Sequence, residues 1–184
     1  WKHRRQRQMC IRDRQYSIKK LTGEPKAVKF LVDGFIPLGM PGLLASLGGV
    51  GKSYSVIQLA VAIAKGGKWW GKDIKETGSS VVFCAEDSLD EIHRRINLLD
   101  PHKERYDLNN EVYVYPVPEQ KEPLILLREE GITNQAKELS EELKTIPNLK
   151  LVAFDPLQAF VTASISQSNE AGQLWGSFCS QISA

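Results

Sequence analysis

Ser46-Leu47-Gly48-Gly49-Val50-Gly51-Lys52-Ser53 constrains this chain more than any other stretch. It lies between an apolar run, Gly42-Leu43-Leu44-Ala45, and residues 56–64, which read as a buried helix. Strand, glycine-rich loop, helix is the order of a phosphate-binding P-loop. Glycines let successive backbone N–H groups turn inward around a phosphate, and the helix start adds about half a positive charge. In this pattern Lys52 reaches the β- and γ-phosphates and the Ser53 hydroxyl holds Mg2+. Gly48, Gly49, Val50, Gly51 and Tyr54 complete the expected nucleotide-binding set. Ser46 stands where the motif usually has Gly, and its small side chain still lets the loop turn. The plainer alternative, a glycine-rich turn capping a core helix, is outweighed by strand, loop, Lys-Ser and helix in sequence. The chain is expected to bind a nucleoside triphosphate with Mg2+.

At 184 residues the chain can hold one α/β domain with a core of its own. No apolar run approaches the roughly 20 residues that span a bilayer. The basic start has no apolar stretch behind it, so a secretory signal is not expected. Cys10, Cys84 and Cys179 are scattered, without C-x-x-C spacing. This argues against a disulfide framework or a zinc site, and for a reducing, cytoplasmic setting.

The net charge of +2 hides an asymmetry. Residues 1–14 hold six Lys/Arg and one Asp, so this segment carries +5 and the rest of the chain −3. Gln8-Met9-Cys10-Ile11-Arg12-Asp13 resembles one reading frame of a transposase-adaptor sequence used in DNA library preparation. Residues 1–14 are therefore expected to be a processing artefact outside the fold, 15–27 a lead-in, and 28–184 the domain. The mildly acidic remainder offers no global basic footprint for DNA, so any such contact must come from local loops or oligomer geometry.

Residues 27–37 read as a short strand and turn. The helix after Ser53 is apolar nearly all round, which means burial between layers. Lys65-Gly66-Gly67 supplies its C-cap. Trp69 and Trp70 follow in a Gly/Lys-rich connection, read as apolar anchors rather than a base-stacking pair. Residues 80–85 form a strand apolar on both faces, as in a buried parallel sheet. Ser88 with Glu91 predicts a capping box, and Leu89, Ile92, Ile96 and Leu99 make the stripe of a helix that Asp100-Pro101 stops. Residues 112–117 read as a strand and 118–131 as a loop with a short strand. Ile132, Ala136, Leu139, Leu143 and Ile146 mark a further helix, and 149–154 a buried strand. After a loop over 157–167, Ala171, Leu174, Trp175, Phe178, Cys179 and Ile182 mark a last helix. The β-α-β-α-β-α alternation predicts an α/β fold, a mostly parallel sheet with helices on both faces. The chain stops at Ala184 directly after a helix, where such a fold runs on into another strand, so a C-terminally incomplete domain is expected.

Ligands of such sheets bind at the carboxyl ends of the strands. Three ends carry polar chemistry there: the P-loop, Glu86-Asp87 and Asp155. Leu151-Val152-Ala153-Phe154-Asp155 is four apolar residues and an acid, the Walker B pattern, with Asp155 a candidate Mg2+ partner beside Ser53. Pro156, not Glu, follows Asp155, so ATPases with a general base at that next position are not the model. Glu86, at the end of the neighbouring apolar strand, is the candidate catalytic carboxylate, with Lys52 the second catalytic group. The alternative makes Glu86 and Asp87 helix N-terminal acids, a reading that suits Asp87 well.

Leu31-Val32-Asp33-Gly34, Ala45 to Ser53, Ala85-Glu86-Asp87 with Ile92-His93-Arg94-Arg95, Phe154-Asp155-Pro156-Leu157 and Ser168-Asn169-Glu170-Ala171 occur in that order. In this set, over residues 28–184, the chain resembles the RecA-like P-loop ATPases of the plasmid RepA-type hexameric helicase group, the AAA_25 class. The resemblance implies a RecA-like fold, Mg-ATP on Lys52 and Ser53, Glu86 as catalytic glutamate and Asp155 as Walker B acid. It implies a replicative DNA helicase motor of a phage, plasmid or other mobile element, a hexameric ring on single-stranded DNA. It also places the sensor strand and arginine finger beyond Ala184, so weak binding and poor hydrolysis are expected of this stretch alone. Arg95 matches an arginine of that helix, either an ion-pair partner of Asp87 or Glu91 or a substrate contact. Asn169-Glu170 fits a loop near the nucleotide or a plain helix N-terminus equally. Two other functions stay open: a RecA-like recombination or strand-annealing ATPase on single-stranded DNA, and a regulatory ATPase without nucleic acid. Residues 157–167 hold no Lys or Arg and offer no DNA contact.

Overall fold

The computed structural model describes residues 17–162 together with Gly176, Phe178 and Cys179. In chain order these form strands β1 (Phe30–Val32) and β2 (Ile36–Pro37), helix α1 (Lys52–Lys65), and strands β3 (Lys68–Trp69), β4 (Lys72–Asp73) and β5 (Ser79–Cys84). Helix α2 (Leu89–Leu99), strands β6 (Val112–Pro116), β7 (Leu127–Arg128) and β8 (Gly131–Ile132), helix α3 (Asn134–Lys144) and strand β9 (Leu149–Asp155) follow.

The centre is β5, buried along its whole length and paired in parallel with β6 on one side and β9 on the other. A strand alternates its side chains between faces, and here both faces are covered. Val81 and Phe83 pack with Ala136 and Leu143 of α3 and with Leu126, Leu127, Phe160 and Phe178. Val82 and Cys84 pack with Ala60 of α1 and Ile92 of α2. Helices therefore lie on both faces of a parallel sheet, as the alternation predicts. Phe83 stands in an aromatic cluster, 5.0 Å from Phe154 and 5.3 Å from Tyr115 in stacked arrangement, with Phe160 edge-on at 6.4 Å.

The outer side of α1 is closed by two antiparallel hairpins, β1–β2 and β3–β4. Leu31, Val32 and Trp69 from these hairpins bury against Leu59, Ala62 and Ile63. The direction of α1 is set by two contacts with the sheet. The Gly78 N–H donates to the Ile63 carbonyl at 3.2 Å, and the Ser80 hydroxyl donates to the Ala60 carbonyl at 3.4 Å. Going back along the helix thus means going forward along β5. From Ala60 to Lys52 the helix covers ~12 Å, the same length as about four strand residues, so Lys52 comes level with the end of β5.

Several expectations are corrected. Residues 42–45 form no strand, and Leu43 is 80% exposed. A strand requires a neighbour to take its N–H and C=O groups, and among the described residues nothing pairs with this run. α1 begins at Lys52 rather than at residue 56, because the Lys-Ser of the loop already forms its first turn. Ile132 belongs to β8 instead of α3, whose N-cap is Thr133, the hydroxyl accepting from the Ala136 N–H at 3.1 Å. The capping box of α2 is half formed. The Ser88 hydroxyl accepts from the Glu91 N–H at 3.3 Å, but the Glu91 carboxylate turns to Arg94 and Arg95. The last expected helix lies mostly outside the described residues, as do Asn169-Glu170 and residues 1–14; Gly176, Phe178 and Cys179 are helical. Among the described residues no helix is long and apolar enough to cross a membrane.

Candidate active site

Gly48, Gly49, Val50 and Gly51 lie in an exposed loop, and Lys52, Ser53 and Tyr54 form the first turn of α1. Gly49 and Gly51 adopt φ of 77° and 91°, a left-handed backbone that L side chains rarely take. A Cβ built at Gly48, Gly49 or Gly51 would meet no atom within 4 Å, so the inner surface of the loop is clear backbone. Gly51 is the N-cap of α1 and offers no side chain to its first N–H groups. Open amides at a helix start, with the partial positive charge of the dipole, suit an anion. The Lys52 ammonium lies across the loop and donates to the carbonyls of Ser46 at 3.0 Å and Leu47 at 2.9 Å.

Two carboxylates stand at the same edge of the sheet. Cys84 of β5 pairs in register with Asp155 of β9, and the Ala85 N–H donates to the Asp155 carbonyl at 2.8 Å. Asp155 and Glu86 thus leave neighbouring parallel strands side by side, at the level reached by the start of α1. The two acids after β5 differ in their surroundings. Asp87 is held by the Arg95 guanidinium, with side-chain exposures of 12% and 23%. The Arg95 Nε donates in addition to Glu91 at 3.1 Å. Arg95 therefore forms the ion pairs with Asp87 and Glu91 that brace the start of α2. Glu86 is exposed, and among the described residues its carboxylate has neither a hydrogen bond nor an ion pair. The structure thereby separates two adjacent acids that the sequence presents alike.

Cys84 sits beneath this edge, 1% exposed. Burial pushes its thiol above the ordinary thiol range, up to about 12, and the charges of Asp87 and Asp155 add to the rise against Arg95. The folded protein then keeps a proton that the unfolded chain releases. This contribution to stability is present below the unfolded value and is lost as pH climbs towards about 12. A buried thiol is also a poor nucleophile. Alkylation followed by peptide mass spectrometry should find Cys84 unlabelled at pH 8 in the native protein and labelled after denaturation. Native labelling at the unfolded rate would contradict this burial.

The end of β5 and the end of β9 thus lie side by side, and the P-loop start of α1 comes level with them. No curated protein matches the chain. The family model of AAA_25, described as an AAA domain, matches residues 5–183. With its P-loop, parallel sheet and flanking helices accounted for by that match, the chain belongs to the AAA_25 family and is an α/β P-loop ATPase domain.

Proposed function

We propose that this chain is an Mg-ATP-hydrolysing motor on single-stranded DNA, the RecA-like ATPase of a replicative helicase from a phage, plasmid or other mobile element. In this reading it works in the cytoplasm as a hexameric ring. The observation that carries the chemistry is the pair of parallel strand ends, Glu86 beyond β5 and Asp155 closing β9, beside the start of α1. The DNA reading draws its support from the ordered set of motifs that resembles the RepA-type helicases.

The clear loop and uncapped helix start fit a polyphosphate. Gly48, Gly49, Val50, Gly51 and Tyr54 frame the nucleotide, and Lys52 neutralises the β- and γ-phosphates. Ser53 and Asp155 are hard oxygen donors of the kind that Mg2+ takes. Bound there, Mg2+ supplies charge neutralisation across the phosphates. Glu86, exposed and without a partner among the described residues, orients a water and takes its proton as that water attacks the γ-phosphorus, whose bond to the β–γ bridging oxygen breaks to release ADP. Asp87 has no such role, since Arg95 holds its carboxylate.

Steady-state ATP hydrolysis, measured with and without single-stranded DNA, tests the motor. Stimulation by DNA is the expected result. Hydrolysis indifferent to DNA would sink the motor reading and leave a regulatory ATPase.

A further inference from the structure

The β3–β4 hairpin turns through Trp70-Gly71, with φ of 48° and 77°. Positive φ at both central residues is the mark of a type I′ turn, which selects Asn-Gly, Asp-Gly or Gly-Gly. A bulky side chain at the first of these positions is an outlier. The neighbouring Trp69 is 3% exposed, and its indole N–H donates to the Ser55 carbonyl in the first turn of α1 at 3.0 Å. Trp69 is an anchor. Trp70 stacks on it at 4.2 Å with the rings 11° from parallel, yet remains 54% exposed. Phe35, from the turn between β1 and β2, leans against both indoles at 5.8 and 6.1 Å and is itself half-exposed. A strained turn thus holds an aromatic step at the surface, braced from below by the P-loop helix.

The step is flanked by cations. Lys72 pairs across the hairpin with Trp69 and has no ion-pair partner among the described residues. Lys68, on the other strand, has Asp73 at 3.5 Å, both side chains exposed. Protein–protein interface cores are depleted in lysine. Exposed aromatic faces bordered by cations instead suit single-stranded nucleic acid, whose bases stack and whose phosphates seek positive charge.

We propose that Trp70 and Phe35 form a stacking platform for an unpaired base of single-stranded DNA, with Lys68 and Lys72 meeting the adjoining phosphates. This rests on the reading of the chain as a motor on DNA and adds a contact site to it. Through the Trp69–Ser55 hydrogen bond the platform is tied to the same helix that carries Lys52 and Ser53.

Trp70→Asn is the informative variant, because asparagine suits the turn and removes the ring. Binding of a fluorescein-labelled oligo-dT by anisotropy, thermal unfolding and sedimentation should be read together, with DNA-stimulated hydrolysis of the wild type as control. The expected result is a loss of oligo-dT affinity of about 5- to 100-fold, with a melting temperature no lower than wild type. Trp70→Phe should recover most of that affinity. Oligo-dT binding unchanged in Trp70→Asn, while DNA still stimulates the wild type, would overturn the platform alone. Unchanged DNA binding with a shift to smaller species in sedimentation would make the occupant a second copy of the chain, and would equally overturn it. A wild type that neither binds oligo-dT nor responds to it would bring down the motor reading itself.

Discussion

Glu86→Gln should leave ATP bound and slow its hydrolysis by about 10²- to 10⁴-fold, the usual contribution of a positioned general base. The amide keeps the size and hydrogen-bonding reach of the carboxylate but cannot take the proton. Because Glu86 is exposed and unpaired among the described residues, the change removes no structural contact and the fold should not respond. Asp87→Asn is the contrast. It weakens a half-buried ion pair with Arg95, so its effect should appear in thermal stability while turnover per folded molecule is retained. Nucleotide binding by fluorescence titration, beside single-turnover hydrolysis, separates these outcomes. Hydrolysis unaltered in Glu86→Gln would assign the base to another carboxylate.

The second large effect is on stability. Phe83→Ala should destabilise the fold by about 3–5 kcal/mol, the range for deleting a buried aromatic ring. Phe83 is the ring on which Tyr115 of β6 and Phe154 of β9 both stack, and Phe160 meets it edge-on. Its loss opens a void between all three strands of the sheet at once. Against a net stability of about 5–15 kcal/mol, that is a large fraction, and chemical denaturation should register it as a lower midpoint. A midpoint within error of wild type would mean that the neighbouring rings close the void.

Features set by short-range chemistry were legible in the sequence. Ser88 and the Leu89/Ile92/Ile96 spacing located α2, and the two-sided apolar run of 80–85 located a strand covered on both faces. That β5 and β9 end side by side also followed, because parallel strands bring their carboxyl ends together. What escaped depends on partners distant in sequence. Residues 42–45 have the composition of a strand, but pairing is a property of the sheet and not of the run. Ile132 matches the period of α3 and still joins β8, since one apolar residue beyond the Thr133 cap can serve either element. Trp69 and Trp70 look alike as neighbours. Only the turn between β3 and β4 sends one inward and the other to the surface. Glu86 and Asp87 are distinguished in the same way, by where the guanidinium of Arg95 comes to rest.

The Lys52 ammonium, resting on the carbonyls of Ser46 and Leu47, makes nucleotide entry an exchange reaction. Two hydrogen bonds to neutral carbonyls must be surrendered before the lysine can turn to a phosphate. A phosphate adds to the hydrogen bond an opposite full charge that a neutral carbonyl lacks, so a triphosphate wins that exchange. A nucleoside with no terminal phosphates has nothing to offer the lysine and leaves it where it lies. For a ligand that needs the lysine, the apparent affinity is the intrinsic one multiplied by the fraction of molecules in which the lysine is already free. The loop therefore carries its own competitor, one that sets a threshold of negative charge below which a ligand is turned away.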